Sequence, residues 1–217
     1  GHELPLRARK TSQFLDEFGV QVAVNGDFFS PFHSAHPWDY YPHVGDPVKV
    51  SGFAASRGAV YSVGRQTRPT LYLSPDNQAS FEPPEGVYNA ISGNSIFVRD
   101  GRIVSPKTCG RYCREPHPRT AIALDQEARR LIMVVVDGRQ PNYSEGVTMA
   151  ELAGIVIEFG GYTALNLDGG GSTTLAAARR PRVPSSPTSS SDIRSPRSGR
   201  SWLATSIPIW RNAGGTC

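Results

Sequence analysis

Apolar positions along this chain fall mostly in short runs broken by glycine, proline and asparagine, the pattern of strands joined by turns. The runs predict strands at 20–24, 59–63, 70–73, 87–91, 95–98 and 102–104, with "RDGR" (99–102) as a hairpin turn. "TAIALD" (120–125) and "RLIMVVV" (130–136) predict a further hairpin across "QEAR", and "WLATSIPIW" (202–210) a final strand. Two stretches have helical spacing instead. In "TSQFLDEF" (11–18), Phe14, Leu15 and Phe18 suit a short helix started by Thr11 or Ser12 and stopped by Gly19. In 148–161, Met149, Leu152, Ala153 and Val156 share one face. Thr148 and Glu151 form a T-x-x-E capping box there, and Gly160-Gly161 ends the helix. Residues 30–58 show no clear period. They read as one long loop, which in a compact domain is more often functional than accidental. No internal repeat is visible, and 1–217 reads as a single domain of α+β class: a mixed β-sheet of many short strands with flanking helices.

The 130–168 stretch is a strand–helix–strand unit, which predicts two parallel strands with a right-handed crossover. The first strand ends at Asp137 and the second at Asp168, so both aspartates fall on one edge of the sheet. The helix starts at that edge and brings Glu151 near. Ligands of open α/β sheets bind at the carboxyl ends of strands, so three carboxylates are expected to converge there.

"LNLDGGGST" (165–173) carries the strongest local signal. Three adjacent glycines cost backbone entropy and call for something that must approach the chain closely. Backbone N–H groups of Gly169, Gly170 and Gly171 suit an anion, and Ser172 or Thr173 adds a hydroxyl. No GxxxxGK[ST] is present, so this is not a P-loop. Plainer readings stand beside these. The glycines suit a tight turn, Asp137-Gly138 is a common turn dipeptide, and Glu151 has work enough as a cap. Arg119 suits a surface ion pair. The histidines lie mostly in 30–58 and before Pro118 with no metal spacing, and Asp27 and Asp46 have no clear geometry.

Composition narrows the field. No run approaches the length of apolar sequence that a transmembrane helix needs. The net charge of +4 invites a nucleic-acid reading, but 179–200 alone holds six arginines and one aspartate, a local +5. The rest of the chain is close to neutral, so no nucleic-acid partner is expected. The 179–200 segment reads as a mobile Ser/Pro/Arg-rich loop, or as a lid that steers anions. "TCGRYC" is not a CxxC pair and has no second half of a zinc site. A local Cys109–Cys113 disulfide is the favoured reading and implies an oxidising compartment, with Cys217 free or paired elsewhere. The Gly1-His2 start reads as that of a processed or truncated chain.

"VAVNGDFF" (22–29), "HPRTAIALD" (117–125), "VVVDGRQ" (134–140), "TMAELA" (148–153) and "ALNLDGGGSTTL" (164–175), in this order, resemble the phosphodiester glycosidase family. The resemblance implies a hydrolase that removes a sugar from a sugar-1-phosphodiester by cleaving the anomeric C–O bond. It implies Asp168, Asp137 and Glu151 as catalytic carboxylates. It implies Asn25, Gly26, Phe29, Arg119, Thr120, Arg139, Asn166, Gly169, Gly170, Gly171 and Ser172 as the substrate site, with Gly138 also on a matching position. Asn25 and Asn166 would meet sugar hydroxyls, and Arg119 with the glycine strip would meet phosphate. Carboxylates serve an oxocarbenium-like centre. No metal or cofactor is required, although a calcium held by carboxylates and carbonyls stays open. Asp27 departs from an animal member with glycine there and is assigned no role. Arg200 stands one position away from an arginine of bacterial members. Residues 30–58 also differ, so the identity of the sugar does not carry over. The expected partner is a glycan or sugar phosphate, and the expected location is extracellular, periplasmic or otherwise secretory. Two other functions fit the same residues: a non-catalytic glycan-binding or envelope-polysaccharide assembly module, and a phosphodiesterase that breaks P–O.

Overall fold

The structure is a computed structural model that describes residues 6–36, 39–64, 67–104, 110–178 and 202–208. Its centre is a six-stranded sheet. The order is Arg102–Ile103, Ser95–Arg99, Thr163–Asn166, Arg119–Leu124, Arg130–Val136 and Trp202–Pro208. Every neighbouring pair is antiparallel. The two strands of the strand–helix–strand unit are parallel as expected, but they are not neighbours. Arg130–Val136 and Thr163–Asn166 run in the same direction, but Arg119–Leu124 lies between them, antiparallel to both. The cause is local. Asp125 accepts from Arg129 N at 2.7 Å and from Arg130 N at 3.0 Å, which closes the hairpin and fills that flank of 130–136. The consequence drawn from the parallel reading survives, because two strands of one direction still end on one edge. Arg119 is in register with Val136, and Ala121 with Asn166, so the start of the middle strand reaches that edge too.

Both faces of the sheet are covered. Ala121 and Ala123 pack with Met149, Leu152, Ala153 and Val156 of the Met149–Glu158 helix. Ile122 and Leu124 point the other way, into a cluster with Leu71, Met133, Leu165 and Leu167. Alternation of small and large residues on one strand thus gives the helix a flat bed and the second layer its bulk. Fully buried Leu152 and Val156 contribute about 1.5–3 kcal/mol each. The capping box is present: Thr148 Oγ1 accepts from Glu151 N at 3.2 Å, and Glu151 Oε2 accepts from Thr148 N at 2.9 Å. At the other end Gly160 N donates to Ile157 O and Gly161 N to Val156 O, the paired bonds of a Schellman stop.

The second layer contains a five-stranded sheet, ordered Ala79–Ser80, Thr70–Leu73, Asn89–Ser92, Ala54–Ser56, Ala59–Ser62. Residues 30–58 are not one structureless loop. They include the His33–His36 and Asp39–Tyr41 hairpin, and Pro47–Val50, which joins Leu6–Arg7 to Phe29–Ser30. Strands of two to four residues are too short for a period of two to show in the sequence. The first helix spans Thr11–Phe18, but its N-cap is Lys10, whose N–H donates to Gln13 Oε1 at 3.1 Å. The 179–200 segment, Arg200 included, lies outside the described residues, as do Cys109 and Cys217. The Trp202–Pro208 strand forms as expected. None of the described helices is long and apolar enough to cross a membrane.

Candidate functional site

Three chain segments lie side by side at the sheet edge, and Asn25 ties them together. Its Nδ2 donates to Asp168 O at 2.8 Å, and its Oδ1 accepts from Thr120 Oγ1 at 2.6 Å and Thr174 N at 3.1 Å. Asp168 N donates to Gly26 O at 3.2 Å, and Leu167 N to Thr120 O at 2.9 Å. The turn after Asp168 is thereby braced from two sides. Asn25 and Thr120, expected to hold substrate, spend their side chains on this framework. Asn166 is buried between strands, and its carbonyl accepts from Asn94 N.

The glycines have specific neighbours. A Cβ on Gly169 would sit 2.9 Å from Pro118 O and 3.1 Å from the Tyr112 hydroxyl. Gly170 has φ +64 and would crowd Arg139 Nη2 at 3.1 Å. What approaches this backbone is therefore the 112–119 wall and the Arg139 guanidinium. Two of the three N–H groups are already engaged, Gly169 with Asp168 Oδ1 at 2.8 Å and Gly170 with Pro118 O at 3.0 Å. Gly171 is exposed and faces open space.

Asp168 is half-buried, and its proton affinity is raised. Burial is the main cause, and the nearby Asp27 carboxylate adds to it. Hydrogen bonds from Ser172 and Gly169 oppose the shift without cancelling it.

Arg119 is fully buried, which pulls its pKa below the ordinary arginine value. Its Nε donates to Val147 O at 3.1 Å, and its Nη2 to Tyr112 O at 2.6 Å and Glu115 O at 3.2 Å. The guanidinium carbon lies 4.2 Å from the Tyr112 ring centroid. Its Nη1 is buried with no hydrogen-bond partner among the described residues. Arg119 thus holds the wall from behind. The cation that reaches the open glycine strip is Arg139, which is exposed and sits 3.5 Å from His117 Nδ1. His117 stacks on Tyr112 with centroids 5.0 Å apart. Burial first, then Arg119 and Arg139, lower its pKa, so the imidazole is neutral at pH 7.

The other two expected catalytic carboxylates are engaged locally. Asp137 Oδ1 accepts from Gly138 N at 2.8 Å and Oδ2 from Gln140 Nε2 at 2.7 Å, while Ser144 Oγ donates to Asp137 O at 2.7 Å. Glu151 serves its cap. Phe29 lies in the strand paired with Pro47–Val50, edge-on to Phe32 at 6.1 Å. Tyr112, His117 and Asp27 stand at the site although the motifs assigned them nothing. Among the described residues no cluster of three or more His, Cys, Asp or Glu side chains suits a metal ion.

A family profile described as phosphodiester glycosidase matches residues 18–207. The bovine (Bos taurus) N-acetylglucosamine-1-phosphodiester alpha-N-acetylglucosaminidase is 27% identical over 172 residues, covering 72% of this chain and 31% of that protein. The chain therefore spans about a third of the length of this relative. Among solved structures, the catalytic domain of the zebrafish enzyme of that name, auto-inhibited by its pro-peptide, superposes with a TM-score of 0.58 at 22% identity. The match covers 90% of this chain and 66% of that one. A hypothetical protein from Synechocystis gives a TM-score of 0.55 at 15% identity, with 81% and 50% covered. These two likenesses show the fold.

Proposed function

Since the chain belongs to the phosphodiester glycosidase family, we propose that it hydrolyses a sugar-1-phosphodiester at the anomeric C–O bond. The observation that carries the reading is Asp168. It is a half-buried carboxylate of raised basicity whose backbone is held by the Asn25 side-chain amide and the Gly26 carbonyl, on a turn whose second glycine, Gly170, lies against the exposed Arg139 guanidinium. A carboxylate of raised pKa is a better proton acceptor at neutral pH than an ordinary one. In the proposed step Asp168 takes a proton from water as the water oxygen bonds to the anomeric carbon. The electron pair of the breaking C–O bond stays on the phosphate oxygen. Arg139, beside Gly170 and next to the open Gly171, receives that charge. The products are the free sugar and a phosphate monoester. Phosphate is a good leaving group, so no strong acid is needed opposite Asp168. Asp137 and Glu151 position the loop and the helix start around this centre. The proposed catalytic unit is the whole of 1–217, with 179–200 as an inserted loop. Its proposed setting is a secretory or periplasmic one with a Cys109–Cys113 disulfide, checked by mass spectrometry of unreduced peptides.

A second reading has one observation in its favour. His117, neutral and beside Arg139, is the type of group that attack at phosphorus would use. Hydrolysis in ¹⁸O-water separates the two: label in the sugar at C1 is expected, and label in the phosphate would make the enzyme a phosphodiesterase. Tight glycan binding without turnover of any sugar-1-phosphodiester would instead indicate a binding module.

A further inference from the structure

Asp27 is the most deeply buried carboxylate beside the site, with its side chain 3% exposed. Three donors fix it. Oδ1 accepts from Phe28 N at 2.8 Å and Arg68 Nη1 at 3.0 Å, and Oδ2 accepts from Ser92 Oγ at 2.6 Å. Arg68 is itself held over the Phe28 ring, 5.5 Å from its centroid. Gly52 makes room for the cluster. A Cβ there would lie 2.8 Å from Asp27 Oδ2 and 1.9 Å from Ser92 Oγ. The two preceding residues grip Asp168 directly, Gly26 through its carbonyl and Asn25 through its amide. The chain thus fixes one buried carboxylate directly after the two residues that hold the Asp168 backbone.

We propose that Asp27, ion-paired to Arg68, is a positioning residue for the reaction: a fixed, non-reacting carboxylate, one residue from the Gly26 carbonyl that holds Asp168, whose charge Asp168 feels when it takes up the proton of water. The inference rests on the reading in which Asp168 accepts the proton of water. Every group around Asp168 can be placed. The Ser172 hydroxyl and the Gly169 N–H come from its own turn and favour its ionised form. Arg139 meets the turn at Gly170, and the Arg119 backbone lies behind Gly169. Among the described residues Asp27 directly follows Gly26, whose carbonyl accepts from Asp168 N at 3.2 Å, so a buried carboxylate is fixed one residue from that contact, and its charge acts on Asp168 in the direction its sign requires.

The test is the titration of the Asp168 side-chain carbon by ¹³C NMR, its signal assigned by its absence in Asp168→Asn. Asp27→Asn is expected to move the midpoint down, and the acid limb of kcat/KM with it. Arg68→Gln leaves Asp27 in place without its cation, and is expected to move the midpoint up. If Asp27→Asn does not fold, Arg68→Gln decides alone. An unmoved midpoint overturns the proposal. So does a fall in turnover at an unmoved midpoint, which would make the cluster purely structural. The titration does not depend on which bond breaks. Label entering phosphate would sink the glycosidase reading and leave this result intact, and an unmoved midpoint would do the reverse.

Discussion

Asp137 and Asp168 begin alike. Each ends a strand of the central sheet, the two strands run in one direction, and each is followed by a glycine whose N–H donates to its Oδ1 at 2.8 Å. Their further partners differ. The remaining carboxylate oxygen of Asp137 is taken by Gln140 three residues on, and its carbonyl by Ser144, so the 137–147 turn closes on itself. Asp168 instead meets long-range partners: Asn25 and Gly26 on its backbone, and the Asp27 charge. The comparison teaches that an Asp-Gly at a strand end is a turn until distant residues close around it. Burial raises the proton affinity of Asp168, and its backbone is held by distant residues, while Asp137 lies in a local hydrogen-bond net.

The contrast can be broken most directly at Asp168. Asp168→Asn should lower kcat by about 10²-fold or more, the usual size of general acid–base catalysis, in assays on a sugar-1-phosphodiester. Arg139→Ala should lower kcat/KM by about 10- to 100-fold, the worth of a charged hydrogen bond of about 1.5–3 kcal/mol. Asp137→Asn and Glu151→Gln should behave differently from both. Each should cost about 1 kcal/mol of stability in denaturant titrations, from a weakened turn or cap, while the acid limb of activity stays in place. A 10²-fold loss of kcat in Asp137→Asn with unchanged stability would erase the distinction. The smallest effect sharpens it. Because the folded pKa of Asp168 lies above its unfolded value, the native state binds the extra proton between the two. Stability therefore falls as pH rises through that window, and the ionised carboxylate burdens the fold above it. Asp168→Asn should raise Tm modestly at pH 7–8 and not at about pH 3, below the unfolded pKa, where the unfolded chain holds the proton as well.

Much of this was legible in the sequence because it is local. The Met149–Glu158 helix announces both its ends through Thr148, Glu151 and Gly160, and its buried face through spacing. The Arg119–Leu124 and Arg130–Val136 hairpin follows from two runs and a short turn. Strand direction alone puts Asp137 and Asp168 on one edge, but it does not reveal the strand between them. A periodic pattern carries direction but not neighbours, and only pairing distinguishes a parallel ladder from two parallel strands flanking a third. The short strands of 29–56 were hidden because two to four residues show no period. The duties of Asn25 and Thr120 were hidden for another reason. Amide and hydroxyl side chains look the same in a sequence whether they meet a ligand or another strand. His117 had a usable signal, two residues before Arg119 on a strand that begins at the site edge. Asp27 had one too, as a carboxylate inside a motif with no turn to explain it.

Asn25 bonds to residues 95, 143 and 149 positions further along the chain. Chain closure over such spans costs entropy that the contacts return only when all of them are present, and folding rates fall as contacts become more distant in sequence. During synthesis the segment around Asn25 emerges early and waits, because Thr174 and the Leu175–Ala177 strand that pairs with Val22–Val24 are made late. The site is therefore among the last parts of the molecule to assemble. A chain interrupted before residue 174 can complete the hairpin of 119–136 and the helix that follows, yet the first half of its pocket would have nothing to close upon.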